Sequence, residues 1–211
     1  MRSKIAIYLA GSIKKGHEKS NESYWSDADL QCIRQNLSDF EVFFLNPAFR
    51  TDDLSDQRSV FGRDMTQVFS SDFVFVDARD RRGLGVGAEM MWAKINNIPV
   101  ITWAPKGSHY HKAHTTVLDV PVTNFIHPFV ESLSDKIVEN LIDGARWIQE
   151  MVSNPSVEIR GVEHINSLME YYQKTQLPKD KPMKELISAS EALRKRMERT
   201  PPSLKAAGAI R

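Results

Sequence analysis

The sequence predicts an α/β protein built on a parallel β-sheet. Short apolar and β-branched runs alternate with amphipathic helical patterns between residues 4 and 150, as in consecutive βαβ units. The length of 211 residues suits one such domain with an addition. The hydrophobic share of 41% and the charged share of 26% are those of an ordinary globular chain. The element order favours a flavodoxin-like, doubly wound sheet of five parallel strands, followed by a C-terminal helical extension.

Each predicted strand is a short run rich in β-branched and aromatic residues. The strands are Lys4 to Leu9, Glu41 to Leu45, Phe73 to Asp77, Pro99 to Trp103 and a weaker fifth around Asn124 to Ile126. Apolar residues three and four positions apart predict the helices and place one face of each against the sheet. Those faces are Leu30, Ile33 and Leu37; Phe61, Met65 and Val68; Ala88, Met91, Trp92 and Ile95; and Ile137, Leu141, Ala145 and Ile148.

The pattern changes after Ser153. A helix that begins near Val162 leads to a polar linker with two prolines, and a second helix runs from about Met183 to Glu198. Two short helices bury too little apolar surface to fold alone. We therefore expect residues 1–152 to form the α/β domain and residues 153–211 to form a helical appendage and tail.

Composition and charge argue against several classes of function. The net charge of +1 is not that of a protein for a nucleic-acid polymer or a membrane surface, so we expect a small-molecule ligand. A single cysteine, Cys32, allows no intrachain disulfide, and the N-terminus lacks a secretion signal, which together indicate a cytoplasmic protein. His109, His111 and His114 match no common zinc spacing, so we expect neither a metal nor a cofactor.

Doubly wound sheets bind ligands at the carboxyl ends of their strands, so the loops there form the candidate site. The turn after the first strand combines small residues, which expose backbone N–H groups, with charged lysines, as a phosphate-binding turn does. It consists of Gly11, Ser12, Ile13, Lys14, Lys15 and Gly16, although such residues are also common in ordinary loops. Asn46 and Phe49 follow the second strand and are further candidates for substrate binding. Arg79, Arg81 and Arg82 are expected to form a solvated loop that can attract a phosphate.

The segment from Gly83 to Glu89 carries the strongest functional signal. Its glycines, Gly83, Gly85 and Gly87, let a ligand approach the backbone, and the helix behind them offers N–H groups to an anion. Glu89 is then a candidate nucleophile, or an electrostatic stabiliser of an oxocarbenium-like centre. The alternative is that Glu89 only complements the helix macrodipole from the first turn.

A tyrosine and two aspartates also lie at or before the ends of predicted strands and helices near this sheet. Tyr8, near the end of the first strand, can hold a carboxylate in its reactive orientation, or it is simply a strand aromatic. Asp64, beside the apolar Met65, can project toward the same edge from the helix that precedes the third strand, or it is a solvated surface charge. Asp72, directly before that strand, is expected to be a solvated surface charge.

Together these segments resemble the nucleoside 2-deoxyribosyltransferase superfamily, and within it most closely the 2′-deoxynucleoside 5′-monophosphate N-glycosidases. The run from Tyr8 to Gly16 is similar to the first-strand signature of the family, and the run from Leu84 to Glu89 is similar to its nucleophile turn. Asp64, with Asp72 eight residues on, is similar to its middle helix. The resemblance covers roughly residues 4–150 and departs at residue 83, where a glycine replaces the phosphate-binding serine that these N-glycosidases tend to have.

The resemblance implies that Glu89 attacks C1′ of a nucleotide to form a covalent glycosyl-enzyme. Tyr8 would orient the Glu89 carboxylate, Asp64 would assist departure of the base, and water would complete the hydrolysis. Three alternatives stay open: a deoxyribosyltransferase that passes the sugar to a second base, a phosphoribohydrolase of the cytokinin-activating type, and a non-catalytic nucleotide sensor. The resemblance also implies a homo-oligomer, in which the segment from Lys106 to Thr116 completes the site of a neighbouring subunit.

Overall fold

The computed structural model describes residues 2–13, 24–154 and 156–199, and its core is a five-stranded parallel sheet. In chain order the strands, including those of a separate hairpin, are β1 (Ser3–Ala10), β2 (Phe40–Leu45), β3 (Phe73–Asp77), β4 (Val100–Trp103), β5 (His111–Val117), β6 (Val120–Ile126) and β7 (Lys136–Val138). The sheet order is β2-β1-β3-β4-β7, so β1 pairs with both β2 and β3 and the order reverses there. The predicted α/β, doubly wound fold is therefore confirmed.

Alternate residues along the strands face two different helical layers. The first five helices are α1 (Asp27–Asn36), α2 (Gln57–Phe69), α3 (Leu84–Ile95), α4 (Pro128–Leu133) and α5 (Leu141–Ser153). Ile5, Ile7 and Leu9 join the apolar core that α1 and α5 cover. Tyr8 lies between these residues in β1 and points to the opposite face, where its hydroxyl meets α3. All of β3 is buried, as expected of a parallel strand that is covered on both sides.

The fifth strand of the sheet is not the one that the sequence predicts. It is β7, whose Ile137 fits the helical apolar spacing that continues to Leu141, so the pattern placed it in the following helix. The predicted segment, Asn124 to Ile126, instead ends β6, which pairs with β5 in an antiparallel hairpin. The hairpin turns at Leu118 and Asp119, whose φ angles are 48° and 65°. Tight hairpin turns of this kind usually contain asparagine or glycine, and their absence here hid the hairpin.

Gly144 allows α5 to approach the sheet closely. A Cβ atom at this position would lie 2.4 Å from Cζ and 2.9 Å from Cε1 of Phe75. The substitution Gly144→Ala is therefore expected to lower the free energy of unfolding by about 1–3 kcal/mol, as measured by denaturant titration. Gly62→Ala in α2 is the matched control, because nothing lies within 4 Å of its Cβ position. This control should gain about 0.5–1 kcal/mol from helix propensity, and equal behaviour of the two variants would contradict the packing argument.

The chain divides after Arg160 into two compact units, Met1–Arg160 and Gly161–Arg211. The second unit contains α6 (Val162–Thr175), a 3₁₀ turn (Leu177–Lys179), α7 (Lys181–Ala189) and α8 (Glu191–Met197). The single helix that the sequence predicts from about Met183 to Glu198 is thus two helices. Ser190 separates them, because its backbone is extended (φ −134°, ψ 104°) and its hydroxyl accepts a hydrogen bond from the N–H of Leu193.

The polar linker between α6 and α7 is held by one aspartate. The hydroxyl of Tyr172 donates to Oδ2 of Asp180 over 2.6 Å, and Oδ1 of Asp180 accepts from the N–H of Met183 at the start of α7. None of the residues of α6, α7 or α8 is buried. Among the residues described, no helix is long and apolar enough to span a bilayer.

Candidate active site

The central pair of the candidate site joins the first strand to the third helix. The Tyr8 hydroxyl of β1 donates a 2.8 Å hydrogen bond to Oε1 of Glu89 in α3. Both side chains are buried, and Oε2 of Glu89 has no hydrogen-bond partner among the described residues. A buried carboxylate with one oxygen held and the other unpartnered is an arrangement expected of a reacting group, because an unsatisfied buried acceptor is costly for stability alone.

The helix that carries Glu89 begins directly after Gly83 and includes Gly85 and Gly87. Gly83 is its N-cap and makes no side-chain capping bond, and Leu84 is the first helical residue. Glu89 therefore lies in the second turn, and the first turn holds no acidic residue, so the macrodipole interpretation is wrong. A Cβ at Gly85 would lie 4.0 Å from Oε1 of Glu89, while Gly87 faces open space. Gly85 therefore keeps side-chain atoms away from the Glu89 carboxylate.

Burial and neighbouring charge set the protonation of the pair. Burial raises the pKa of Glu89 from 4.5 to about 7, the hydrogen bond from Tyr8 opposes the rise, and the charge of Asp64 adds to it. Burial, and then the charge of Glu89, raise the pKa of Tyr8 well above its usual value. Tyr8 thus stays protonated and donates at any pH at which Glu89 is ionised.

The substitution Tyr8→Phe is expected to move the ionisation of Glu89 to higher pH, because the donor that favours the carboxylate is lost. The ¹³C chemical shift of the Glu89 carboxyl, followed from pH 5 to 9, measures this change. Tyr172→Phe removes a hydroxyl from the second unit and should leave the titration unchanged. A Glu89 pKa that stays constant or falls in Tyr8→Phe would show that the hydrogen bond does not hold the anion.

Asp64 lies in α2 beside two arginines that the sequence did not indicate. Nη1 of Arg50 is 3.4 Å from Oδ1 of Asp64, and Nη1 of Arg63 is 3.6 Å from the same oxygen. Arg50 is itself fixed by Asp52, with Nε–Oδ1 and Nη2–Oδ2 distances of 2.9 and 2.6 Å. Burial raises the pKa of Asp64, and the two arginines oppose the rise. No local motif reveals this cluster, because its members lie in a loop and in a helix up to fourteen positions apart.

The loop after β1 packs tightly at the sheet edge. A Cβ at Gly11 would lie 3.3 Å from Nε1 of Trp25, which donates to the carbonyl of Ala10. The Ser12 hydroxyl accepts a 2.9 Å hydrogen bond from Nη1 of Arg82, and Ile13 is exposed. The other three predicted members of the phosphate-binding turn, Lys14, Lys15 and Gly16, lie outside the described residues.

Two of the three arginines predicted to be solvated are instead paired with a buried aspartate. Asp77, at the end of β3, lies 2.9 Å from Nη2 of Arg82, whose side chain is only 3% exposed. Arg79 also donates to Asp77 and stacks over Trp103, 3.9 Å from the ring centroid. Burial opposes ionisation, but the hydrogen bonds of Arg79 and the charge of Arg82 hold the pKa of Asp77 below its usual range. A buried strand-end carboxylate requires such counter-charges, whereas Arg81 is exposed as predicted.

The loop after β2 forms the other side of the edge. Oδ1 of the buried Asn46 accepts from the N–H of Ala48, which fixes the turn, so this side chain has a structural bond. Phe49 is 70% exposed. Asp72 is exposed as predicted, and its Oδ2 also accepts a 2.7 Å hydrogen bond from the N–H of Ala6.

The segment from Lys106 to Thr116, predicted as a loop, includes most of β5. Nδ1 of His111 lies 3.0 Å from the carbonyl oxygen of Ala104. Within the described ranges, no three histidine, cysteine or acidic side chains are grouped so as to hold a metal ion.

The comparisons with known proteins bear on the fold. No family model matches the chain, and no curated protein is similar to it in sequence at a significant level. A crystal structure of a conserved protein from Enterococcus faecalis V583 is similar with a TM-score of 0.50 and 16% identity, over 71% of this chain and 99% of the other. A 2-deoxyribosyltransferase from Bacillus psychrosaccharolyticus matches with a TM-score of 0.44 and 15% identity, over 74% and 98% of the two chains. The chain thus shares its α/β fold with a solved protein that matches 71% of its length.

Proposed function

We propose that the chain is a member of the nucleoside 2-deoxyribosyltransferase superfamily that hydrolyses the N-glycosidic bond of a (deoxy)nucleoside 5′-monophosphate and releases the free base. The observation that carries the proposal is the Tyr8–Glu89 pair, with one carboxylate oxygen held at 2.8 Å and the other buried and unpartnered. The order of the motifs along the sequence supports the same assignment.

In the proposed reaction, Oε2 of Glu89 attacks C1′ of the sugar. The C1′–N bond breaks as the C1′–O bond forms, and the departing base takes its electron pair and a proton from Asp64. Burial raises the pKa of Asp64, which is the direction that a proton donor requires. Water then attacks C1′, transfers a proton to Asp64 and frees Glu89, so that the two displacements retain the configuration at C1′.

Two groups of backbone and side-chain donors are available for the 5′-phosphate. The first group is formed by Gly11, Ser12 and Ile13, and the Arg82 guanidinium donates a hydrogen bond to the Ser12 hydroxyl. The first N–H groups of α3, near Gly85 and Gly87, belong to the second, since the initial N–H groups of a helix have no partner within it. The other predicted binding residues are Lys14, Gly16, Asn46 and Phe49. The homo-oligomer and the domain boundary at residue 152 also remain predictions.

Incubation of the purified protein with a panel of nucleoside monophosphates, followed by chromatography, tests the proposal. Free base from at least one of them is expected, together with a sugar phosphate. A second base added to the reaction distinguishes the deoxyribosyltransferase alternative, because a new nucleoside or nucleotide would then appear. Binding measured by calorimetry without any turnover would favour the nucleotide sensor and contradict the proposed hydrolysis.

A further inference from the structure

A pocket of about 580 Å³ adjoins the Asp64 cluster between the end of β2 and α2. Its lining residues are Ala48, Phe49, Arg50, Thr51, Asp52 and Arg63. A volume of this size is in the range of small-molecule sites. The exposed Phe49 ring on its wall is a flat apolar surface, and such rings stack on the faces of heterocyclic bases.

The two arginines of this pocket are held very differently. Arg50 is 8% exposed in its side chain and is bound in a two-point ion pair to Asp52. Arg63 is 24% exposed, and its guanidinium is 3.7 Å from Asp52 and 3.6 Å from Asp64. Its short contact is a 2.6 Å hydrogen bond to the carbonyl oxygen of Phe49. Arg50 is thus a structural member of the cluster. Arg63 also donates a 3.3 Å hydrogen bond to Oε1 of Gln67, so its shortest contacts are to neutral acceptors. It can exchange these neutral hydrogen bonds for hydrogen bonds to a ligand without breaking an ion pair shorter than 3.6 Å.

The pocket offers hydrogen-bond donors in preference to acceptors. Both carboxylate oxygens of Asp52 already accept from Arg50, which reduces their capacity for a ligand N–H. The Arg63 guanidinium is planar and presents its N–H groups in a fixed fork, so it matches carbonyl oxygens and ring nitrogens of a base edge. An amino group at the same position would place its own N–H donors against the N–H donors of Arg63.

The pocket is also next to the candidate nucleophile. Asp64 contacts both arginines, and its charge acts on Glu89 and on Tyr8. The charge of Arg63 also reaches Tyr8. The pocket is therefore coupled to the Tyr8–Glu89 pair through Asp64 and Arg63.

We propose that Arg63 is a specificity residue that donates to a carbonyl oxygen of the base, stacked on Phe49, so that oxo bases are preferred over amino bases. The inference rests on the proposed function and deepens it by naming a class of base. Hypoxanthine and adenine form one matched pair of bases, and uracil and cytosine form a second. The members of each pair differ chiefly by an oxo group in place of an amino group.

Comparison of kcat/KM for the monophosphates of each pair tests this inference. The oxo member of at least one pair is expected to be favoured by about tenfold or more, because a misplaced donor leaves polar groups unpaired. Arg63→Met should bring that ratio close to one, and Arg63→Lys, which keeps the charge but loses the fork, should lower it. Arg58→Met is the matched control, because Arg58 lies in the same helix with a side chain 97% exposed, and it should keep the wild-type ratio. A preference for the amino member, or an unchanged ratio in a folded Arg63→Met, would overturn the inference.

Titration of the wild-type protein and Arg63→Met with free hypoxanthine and free adenine separates this inference from the proposed hydrolysis. Tighter binding of hypoxanthine to the wild type, lost in Arg63→Met, supports the role of Arg63 even if no monophosphate is cleaved. Equal binding of the two bases to the wild type, or binding of neither, would contradict that role. If monophosphates are cleaved without any difference between oxo and amino bases, the proposed function stands and the assignment of Arg63 fails.

Discussion

Asp135→Asn is expected to lower the free energy of unfolding of the α/β unit by about 3–5 kcal/mol, because it leaves the Lys94 ammonium buried without a counter-charge. Nζ of Lys94 donates a hydrogen bond to Oδ2 of Asp135 in an ion pair, and the two side chains are 0% and 1% exposed. Burial lowers the pKa of Lys94, and the charge of Asp135 opposes that change. Asp135 also accepts hydrogen bonds of 2.6 Å from the N–H groups of Val100 and Arg160. One carboxylate thus joins α3, β4 and the segment after α5.

A double-mutant cycle measures this coupling. Lys94→Met should also be strongly destabilising. The double variant Lys94→Met with Asp135→Asn should lose less unfolding free energy than the sum of the losses in the two single variants. All four tryptophans of the chain lie in the first unit, so fluorescence during denaturant unfolding reports on that unit. Lys106→Met breaks the exposed pair with Glu139 in the same unit and should have little effect. Additive losses in the cycle would show that Lys94 and Asp135 contribute independently.

Glu89→Gln is expected to reduce kcat for base release by at least about a thousandfold, because an amide cannot form the glycosyl ester. The amide keeps the shape of the side chain, so calorimetry should still detect binding of the nucleotide. The exposed Glu150 provides the matched control, and Glu150→Gln should keep wild-type activity. Glu89→Gln with more than about a tenth of the wild-type rate would contradict the role of Glu89 as nucleophile.

The same substitution should alter stability in a pH-dependent way. The pKa of Glu89 in the folded protein is about 7 and its ordinary value is 4.5, so the folded state binds more protons between these values. The contribution of this group to stability is therefore present at low pH and is lost as the pH rises through 7. Glu89→Gln removes this loss, so its unfolding midpoint should exceed that of the wild type at pH 8 and approach it at pH 5.

The amino-acid sequence predicts the fold well where a segment carries its own signal. The four longer strands of the sheet are readable because each is an apolar run between polar loops, and the structure has all of them. The three residues of β7 are too few to show strand alternation, and the hairpin turn at Leu118 and Asp119 lacks the residues that usually mark one. Short or unmarked elements depend on tertiary contacts that no local pattern records.

The candidate site divides in the same way. The place of Tyr8 near the end of the first strand and the glycine turn before Glu89 single out these two residues, and the structure brings them together. The ion pairs of Arg50, Arg63 and Arg82 could not be predicted, because each depends on which carboxylate the fold buries beside the arginine. A surface arginine and a buried one look alike in sequence.

The bond between Tyr8 and Glu89 has a consequence for the kinetics of folding. It joins residues 81 positions apart, one on β1 and one on α3, the helix that follows β3 in the chain. Contacts between residues so distant in sequence form late, since the entropy of closing a long loop must be overcome first. Return of activity during refolding therefore reports completion of the sheet, whereas helix signals return earlier.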